Sequence, residues 1–157
     1  MDDIAHVLWS VVIYYHYNWY LAALFGVLPD VLVFAPFYLI KFMKGNIKTV
    51  SDTKPKGDIR FYNRWVTRLY DATHGVPIAI LVIAFCTLVW GYHIEYWAMI
   101  IHIIVDIPSH ERNWFGTRIF WPFSKYQFNG GSWATRDFML ANYTCIALAY
   151  MVRLFGF

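Results

Sequence analysis

His102 and Asp106 stand four residues apart near the end of an apolar run that begins at Tyr96. Positions i and i+4 share one face of a helix about one turn apart, so this imidazole and carboxylate can grip one metal ion together. Pro108 is hard to accommodate in a continuing helix, so the chain is expected to break there and bring His110 toward the same point from another direction. The competing reading of this stretch is a plain hydrogen bond between His102 and Asp106 with no ion. The apolar surroundings favour the ligand reading, because ionisable groups in membrane segments are costly unless paired or bound.

The elements on either side carry three further residues to the same place. Ile4 to Leu28 is long enough for one apolar helix, but His16-Tyr17-Asn18-Trp19 is a plausible break. Two antiparallel helices centred on Asn18 are therefore expected, each of about a dozen residues. In one straight rod His6 and Asp30 would lie about 36 Å apart at 1.5 Å per residue, whereas in the hairpin they become neighbours. Pro29 is expected to end the second helix, leaving Asp30 at the start of a third segment, Val31 to Met43, where an N-cap is its ordinary role. Pro36 is expected to kink that segment. Thr73 is the expected N-cap of a helix running from Val76 to Trp90, with Pro77 tolerated in its first turn, and His74 is pinned to that start. A turn at Gly91-Tyr92-His93 sends Ile94 to Ile107 back antiparallel, which puts His74 and Asp106 at one end and His93 and Glu95 at the other.

Composition sets the surroundings. Of 157 residues, 59% are hydrophobic and 21% aromatic, in long apolar blocks, which points to an integral membrane protein of one domain spanning residues 1–157. The acidic start Met1-Asp2-Asp3 lacks the basic stretch of a signal peptide. Cys86 and Cys145 lie in apolar blocks without CxxC spacing and read as packing residues. Eight of the 13 basic residues fall between Lys41 and Arg68, an asymmetry that suits a membrane surface; no motif that reads nucleic acid is present.

The expected fold class is all-α, a compact multi-pass membrane bundle of short helices that opens with a helical hairpin. A twelve-residue helix is only about 18 Å long and cannot cross a hydrocarbon core alone, so short helices must brace one another. Residues 44–57 form a polar loop, the least ordered part expected. From Asp58 to Ala72, Arg60, Arg64 and Arg68 recur beside Phe61, Trp65 and Leu69, the pattern of a helix lying at headgroup level or, equally, of a solvated helix docked on the bundle. Residues 108–133 form an aromatic loop near the candidate centre, and Ala134 to Phe155 makes the last helix.

Taking these turns in alternation gathers His6, Asp30, His74, His102, Asp106 and His110 at one end of the bundle. Four histidines and two aspartates suit zinc or another borderline divalent ion, and six ligands match a site for two ions. A buried hydrogen-bond network is the alternative.

The order His6, Leu28-Pro29-Asp30, Thr73-His74, His102-Ile-Ile-Val-Asp106 and Trp121-Pro122 resembles the predicted membrane-bound metal-dependent hydrolases, inner-membrane proteins distantly similar to zinc-dependent phospholipase C. The resemblance runs from His6 to Trp133. It implies that His6, Asp30, His74, His102 and Asp106 are metal ligands, and His110 matches small variants with a proline and a histidine after the HxxxD motif. Gly75 departs from it, since the family places serine there, which removes a hydroxyl beside His74.

The implied chemistry is hydrolysis of an ester or phosphoester by water activated on one or two divalent ions, on a lipid or lipid-linked substrate. Asp106 or Asp30 would bridge the ions, Glu111 would be the general base, and Arg112 and Arg118 would hold an anionic phosphate or else face lipid headgroups. Trp114, Trp121 and Trp133 would fringe a site reached from the bilayer. The alternative function is a non-catalytic membrane protein that uses the same cluster to bind or transport metal, or to recruit partners.

Overall fold

The computed structural model describes residues 1–45 and 63–156. The chain is all-α, with six helices and no strand among the described residues. Helix α1 (Asp3–Ile13) starts where the Asp2 carboxylate accepts from Ala5 N at 3.0 Å, an N-cap that satisfies one of the first turn's free donors. It packs against α2 (Trp19–Met43) as the N-terminal hairpin. The turn falls at the expected place, with Asn18 accepting from Leu21 N as the cap of α2. Glu95 locks this turn by accepting from Asn18 N at 2.6 Å, so its buried carboxylate serves the hairpin, beside His93.

Helix α2 corrects one expectation. It is a single helix of 25 residues with Pro29 and Pro36 inside it, so Pro29 does not end it and Asp30 is not an N-cap. Proline removes one backbone donor and opens the ladder locally, but inside a packed, apolar body neighbouring groups satisfy the freed carbonyls and helix remains the cheapest conformation. At 1.5 Å per residue α2 is about 37 Å long, and Asp30 sits near its middle.

Helix α3 (Arg64–Thr73) buries Val66, Tyr70 and Thr73 and exposes Arg64 and Arg68. Arg60, Phe61 and residues 46–57 of the expected polar loop lie outside the described residues. Helix α4 (Val76–Trp90) has Pro77 in its first turn as expected, but its N-cap is Gly75; the Thr73 hydroxyl instead donates to Tyr70 O. Helices α3 and α4 meet at a 65° bend. After a short 3-10 turn (Ile94–Trp97), α5 (Ala98–Ser109) carries Pro108 within its last turn, so the helix ends at His110 and does not break at the proline.

The aromatic loop that follows is tied back to α5: Gly130 N donates to His110 O, Gly131 N to Pro108 O and Trp133 N to Ser109 O. Helix α6 (Arg136–Phe155) then starts at Thr135, whose hydroxyl accepts from Phe138 N. Helices α2 and α6 are each long and apolar enough to cross a membrane, and the bent α3–α4 pair would make a third span if it counts as one.

Two apolar cores flank the middle of α2. Ala22 and Phe25 join Ala79, Ile83, Met99 and Ile103 on one side. Val33 and Phe37 join Val66, Tyr70 and Phe115 on the other. The histidines and aspartates lie between these cores, not at one end of the bundle as the alternating turns implied, because α2 continues past Pro29 instead of stopping there.

Candidate metal centre

Three helices and one interhelical junction supply the polar groups of this middle layer. His6 comes from α1, Asp30 from α2, His102 and Asp106 from α5, and His74 from the junction of α3 and α4. All five are buried, with His74 at 0% and His102 and Asp106 at 1% exposure. The i, i+4 pair behaves as spacing requires, with His102 Nε2 at 3.3 Å from Asp106 Oδ2.

The arrangement converges on ring nitrogens. His74 Nε2 lies 3.4 Å from both Asp30 Oδ1 and Asp106 Oδ2. His6 Nε2 lies 3.0 Å from Asp106 Oδ1 and 4.0 Å from Asp30 Oδ2, and His102 Nε2 lies 3.7 Å from Asp30 Oδ2. Ligand atoms about 2.0–2.1 Å from a tetrahedral ion stand roughly 3.3 Å from one another, so these separations are those a shared ion needs. Two overlapping triads, His6–Asp30–His102 and His74–His102–Asp106, could each hold a metal ion.

The far side of two rings is already committed. His102 Nδ1 reaches Gly26 O at 2.7 Å, and His74 Nδ1 reaches Tyr70 O at 3.1 Å. A carbonyl only accepts, so these contacts favour a proton on each Nδ1, although His74 Nδ1 also meets the Thr73 hydroxyl at 3.0 Å, and they leave the two Nε2 atoms turned toward the carboxylates. Those two Nε2 atoms face each other at 3.1 Å. Facing lone pairs repel unless a proton or a cation lies between them. His6 Nε2 and Asp106 Oδ2 are also buried with no hydrogen-bond partner. Burial, followed by the neighbouring His102, holds His6 down to about 4, so it too is a neutral ligand at ordinary pH.

Packing fixes these rings in place. His6 stacks on His102 with centroids 3.6 Å apart, and Tyr70 stacks on His74 at 3.7 Å. Close approach of α1 and α2 depends on Gly26, where a Cβ would fall 2.0 Å from Ser10 Oγ and 3.3 Å from His6 O. Gly75 has a similar cause, because a Cβ there would fall 2.9 Å from Trp121 O. The aromatic loop presses on the start of α4 at that point, with Val76 N donating to Ile119 O. The glycine that departs from the family pattern is thus dictated by backbone crowding.

The remaining expected residues are placed differently. His110 stands beside the triads, with Nε2 at 3.3 Å from Asp106 Oδ1. The Met1 nitrogen lies between them, 2.5 Å from Asp106 Oδ1 and 2.7 Å from His110 Nε2. A cavity of about 220 Å³ opens over the centre, lined by Asp3, Asp30, His110, Phe34, Trp114 and Trp133 among others. Glu111 and Arg112 are exposed and do not line it, and Arg118 is spent on Asp71 at 2.9 Å. Trp114 and Trp133 line the cavity as expected, whereas Trp121 lines a separate surface groove with Arg68 and Leu69 of α3. Asp3 is a cavity-lining carboxylate that sequence reading passed over. It lies three residues before His6 on one helix face, a spacing that could have revealed it. Partial desolvation and the Asp30 carboxylate push Asp3 up to about 6.

No family model, no curated protein and no solved structure matches this chain.

Proposed function

We propose that this chain is a multi-pass protein of the cell inner membrane that hydrolyses an ester or phosphoester of a lipid or lipid-linked substrate with a divalent ion, zinc first. The observation that carries the reading is the close approach of the Nε2 atoms of His74 and His102, 3.1 Å apart beside two buried carboxylates. That contact needs a proton or a cation between the two nitrogens, and a shared divalent ion meets the need while compensating Asp30 and Asp106. The two triads share His102, whose single Nε2 lone pair binds one ion at a time, so any second ion is held without it.

A bound divalent ion supplies a Lewis acid and lowers the pKa of water toward neutrality. The chain's own residues do the rest. Gly26 O and Tyr70 O fix the tautomers of His102 and His74, which keeps both ligands aimed and basic. Asp30 belongs to one triad and also lines the cavity, so it is placed to take a proton from water at the substrate side. Trp114 and Trp133 exclude bulk water from that side. Glu111, Arg112 and Arg118 take no part in this version.

The test is elemental analysis of detergent-purified protein together with turnover on phosphodiesters, phosphomonoesters and carboxylic esters. Wild type is expected to carry metal and to turn over at least one class; His102→Ala is expected to lose both. Metal-free wild type, or a His102→Ala variant that keeps metal and turnover, overturns the reading. The near-complete burial of the cluster favours a second reading, a protein that holds metal without catalysis. Stoichiometric metal with no turnover on any class would select it.

A further inference from the structure

We propose that the groove between α3 and the aromatic loop seats the head group of an anionic phospholipid, with Arg64 and Arg68 on its phosphate. This site is apart from the metal centre and stands whether or not the centre hydrolyses anything.

Charge is the first observation. The groove is lined by Arg64, Trp65, Arg68, Leu69, Ala72 and Trp121, two cations and no acid. Arg64 and Arg68 are four residues apart, so they leave one face of α3 about one turn from each other, within reach of a single phosphate. Both are exposed, and neither has an ion pair among the described residues. The one acid of α3, Asp71, is held by Arg118 at 2.9 Å. Two guanidinium groups without a carboxylate find their complement in an anionic phosphodiester head.

Depth in the membrane is the second. Helix α4 exposes Ile80, Leu81, Phe85 and Leu88, a face that lipid satisfies, and α3 leaves it at a 65° bend. With α4 in hydrocarbon, α3 turns toward the plane of the surface, burying Val66 and Tyr70 in the bundle while its arginines face out. The aromatic side chains mark the same level. Trp65 and Trp121 line the groove, and Phe120 and Phe123 on either side of Trp121-Pro122 are exposed, as suits a membrane–water boundary. Arginine there lays its stem on apolar surface and lifts its charge to the phosphates. An acidic protein segment fits the charge alone, whereas the lipid fits the charge, the bend and the aromatic fringe.

The experiment is native mass spectrometry of the full-length protein released from maltoside and titrated with dioleoylphosphatidylglycerol or dioleoylphosphatidylcholine, which share tails and phosphate and differ in net head-group charge. Phosphatidylglycerol is expected to bind at least roughly tenfold tighter, since each basic side chain at an anionic head contributes about fivefold. Arg64→Gln and Arg68→Gln are each expected to reduce that preference several-fold, and the double variant to remove it at an unchanged unfolding temperature, because both side chains are exposed. The single variants decide the matter should the double variant unfold. Equal binding of the two lipids, or a preference that these variants keep, overturns the proposal. So does displacement of phosphatidylglycerol by an equal concentration of inorganic phosphate, the mark of a soluble-anion site, or of hexaglutamate, the mark of an acidic protein partner. Phosphatidylglycerol preference in a wild-type protein that carries no metal would sink the hydrolase alone; metal-dependent turnover without that preference would sink this inference alone.

Discussion

His74 and His102 define the chemistry at the scale of single residues. Each ring sets its Nδ1 against a backbone carbonyl and turns its Nε2 toward its partner, so the contact between them asks for a proton or a cation. Gly75 shows how little room surrounds them. Serine or alanine there must push against Trp121 O and Asp71 O, at 2.9 and 3.1 Å from the new Cβ. Gly75→Ser is therefore expected to destabilise the protein by about 1–3 kcal/mol, the usual cost of overpacking, and to lower metal content by moving His74. Thermal unfolding in detergent with parallel metal analysis checks this; a variant as stable and as metal-rich as wild type would show that the loop yields freely.

The hairpin of α1 and α2 is the element that brings His6 to Asp30, and its closeness is set by one glycine. Gly26→Ala would place a Cβ 2.0 Å from Ser10 Oγ and 2.7 Å from Ser10 Cβ. Separating the helices there moves His6 away from the triad and displaces the Gly26 carbonyl that holds His102. Gly26→Ala is expected to lose bound metal and to cost about 1–3 kcal/mol, whereas Ser10→Gly combined with Gly26→Ala restores metal, because only the side chain at 10 obstructs most severely. Metal content across this double-mutant cycle is the readout, and a double variant no better than Gly26→Ala alone would place the fault elsewhere. Prolines do subtler work in α2. They weaken the backbone ladder without stopping the helix, and so leave Asp30 midway along a segment long enough to span.

At the scale of the whole molecule, a polar layer is held between two apolar cores, with much of the outside apolar as well. Leu140, Leu148, Met151 and Phe155 of α6 are exposed, a surface that lipid satisfies and water does not. Leu148→Arg near the middle of α6 is expected to cost about 2.5–3.5 kcal/mol of insertion free energy. Alkaline extraction of membranes would register this as a shift of protein into the soluble fraction. An unchanged distribution would mean that α6 does not sit in hydrocarbon. The same layering explains why carboxylates survive here: Asp30 is met by nitrogens of His6, His74 and His102 in place of water.

Apolar periodicity, the break around Asn18 and Pro77 in a first turn are local properties, so the helical class, the hairpin and the start of α4 were legible from residues alone. The i, i+4 spacing of His102 and Asp106 was legible for the same reason. Whether Pro29 ends or merely loosens α2 was not, since the outcome depends on packing on both sides of the helix and not on the proline itself. That decision moved the centre from a pole to the middle. Tertiary contacts alone also decided which polar residues face the cavity. Arg118 was claimed by Asp71, Glu111 turned to solvent, and Asp3 took the mouth, because a side chain's partner is chosen by distance in space and spacing along the chain reaches only one helical turn.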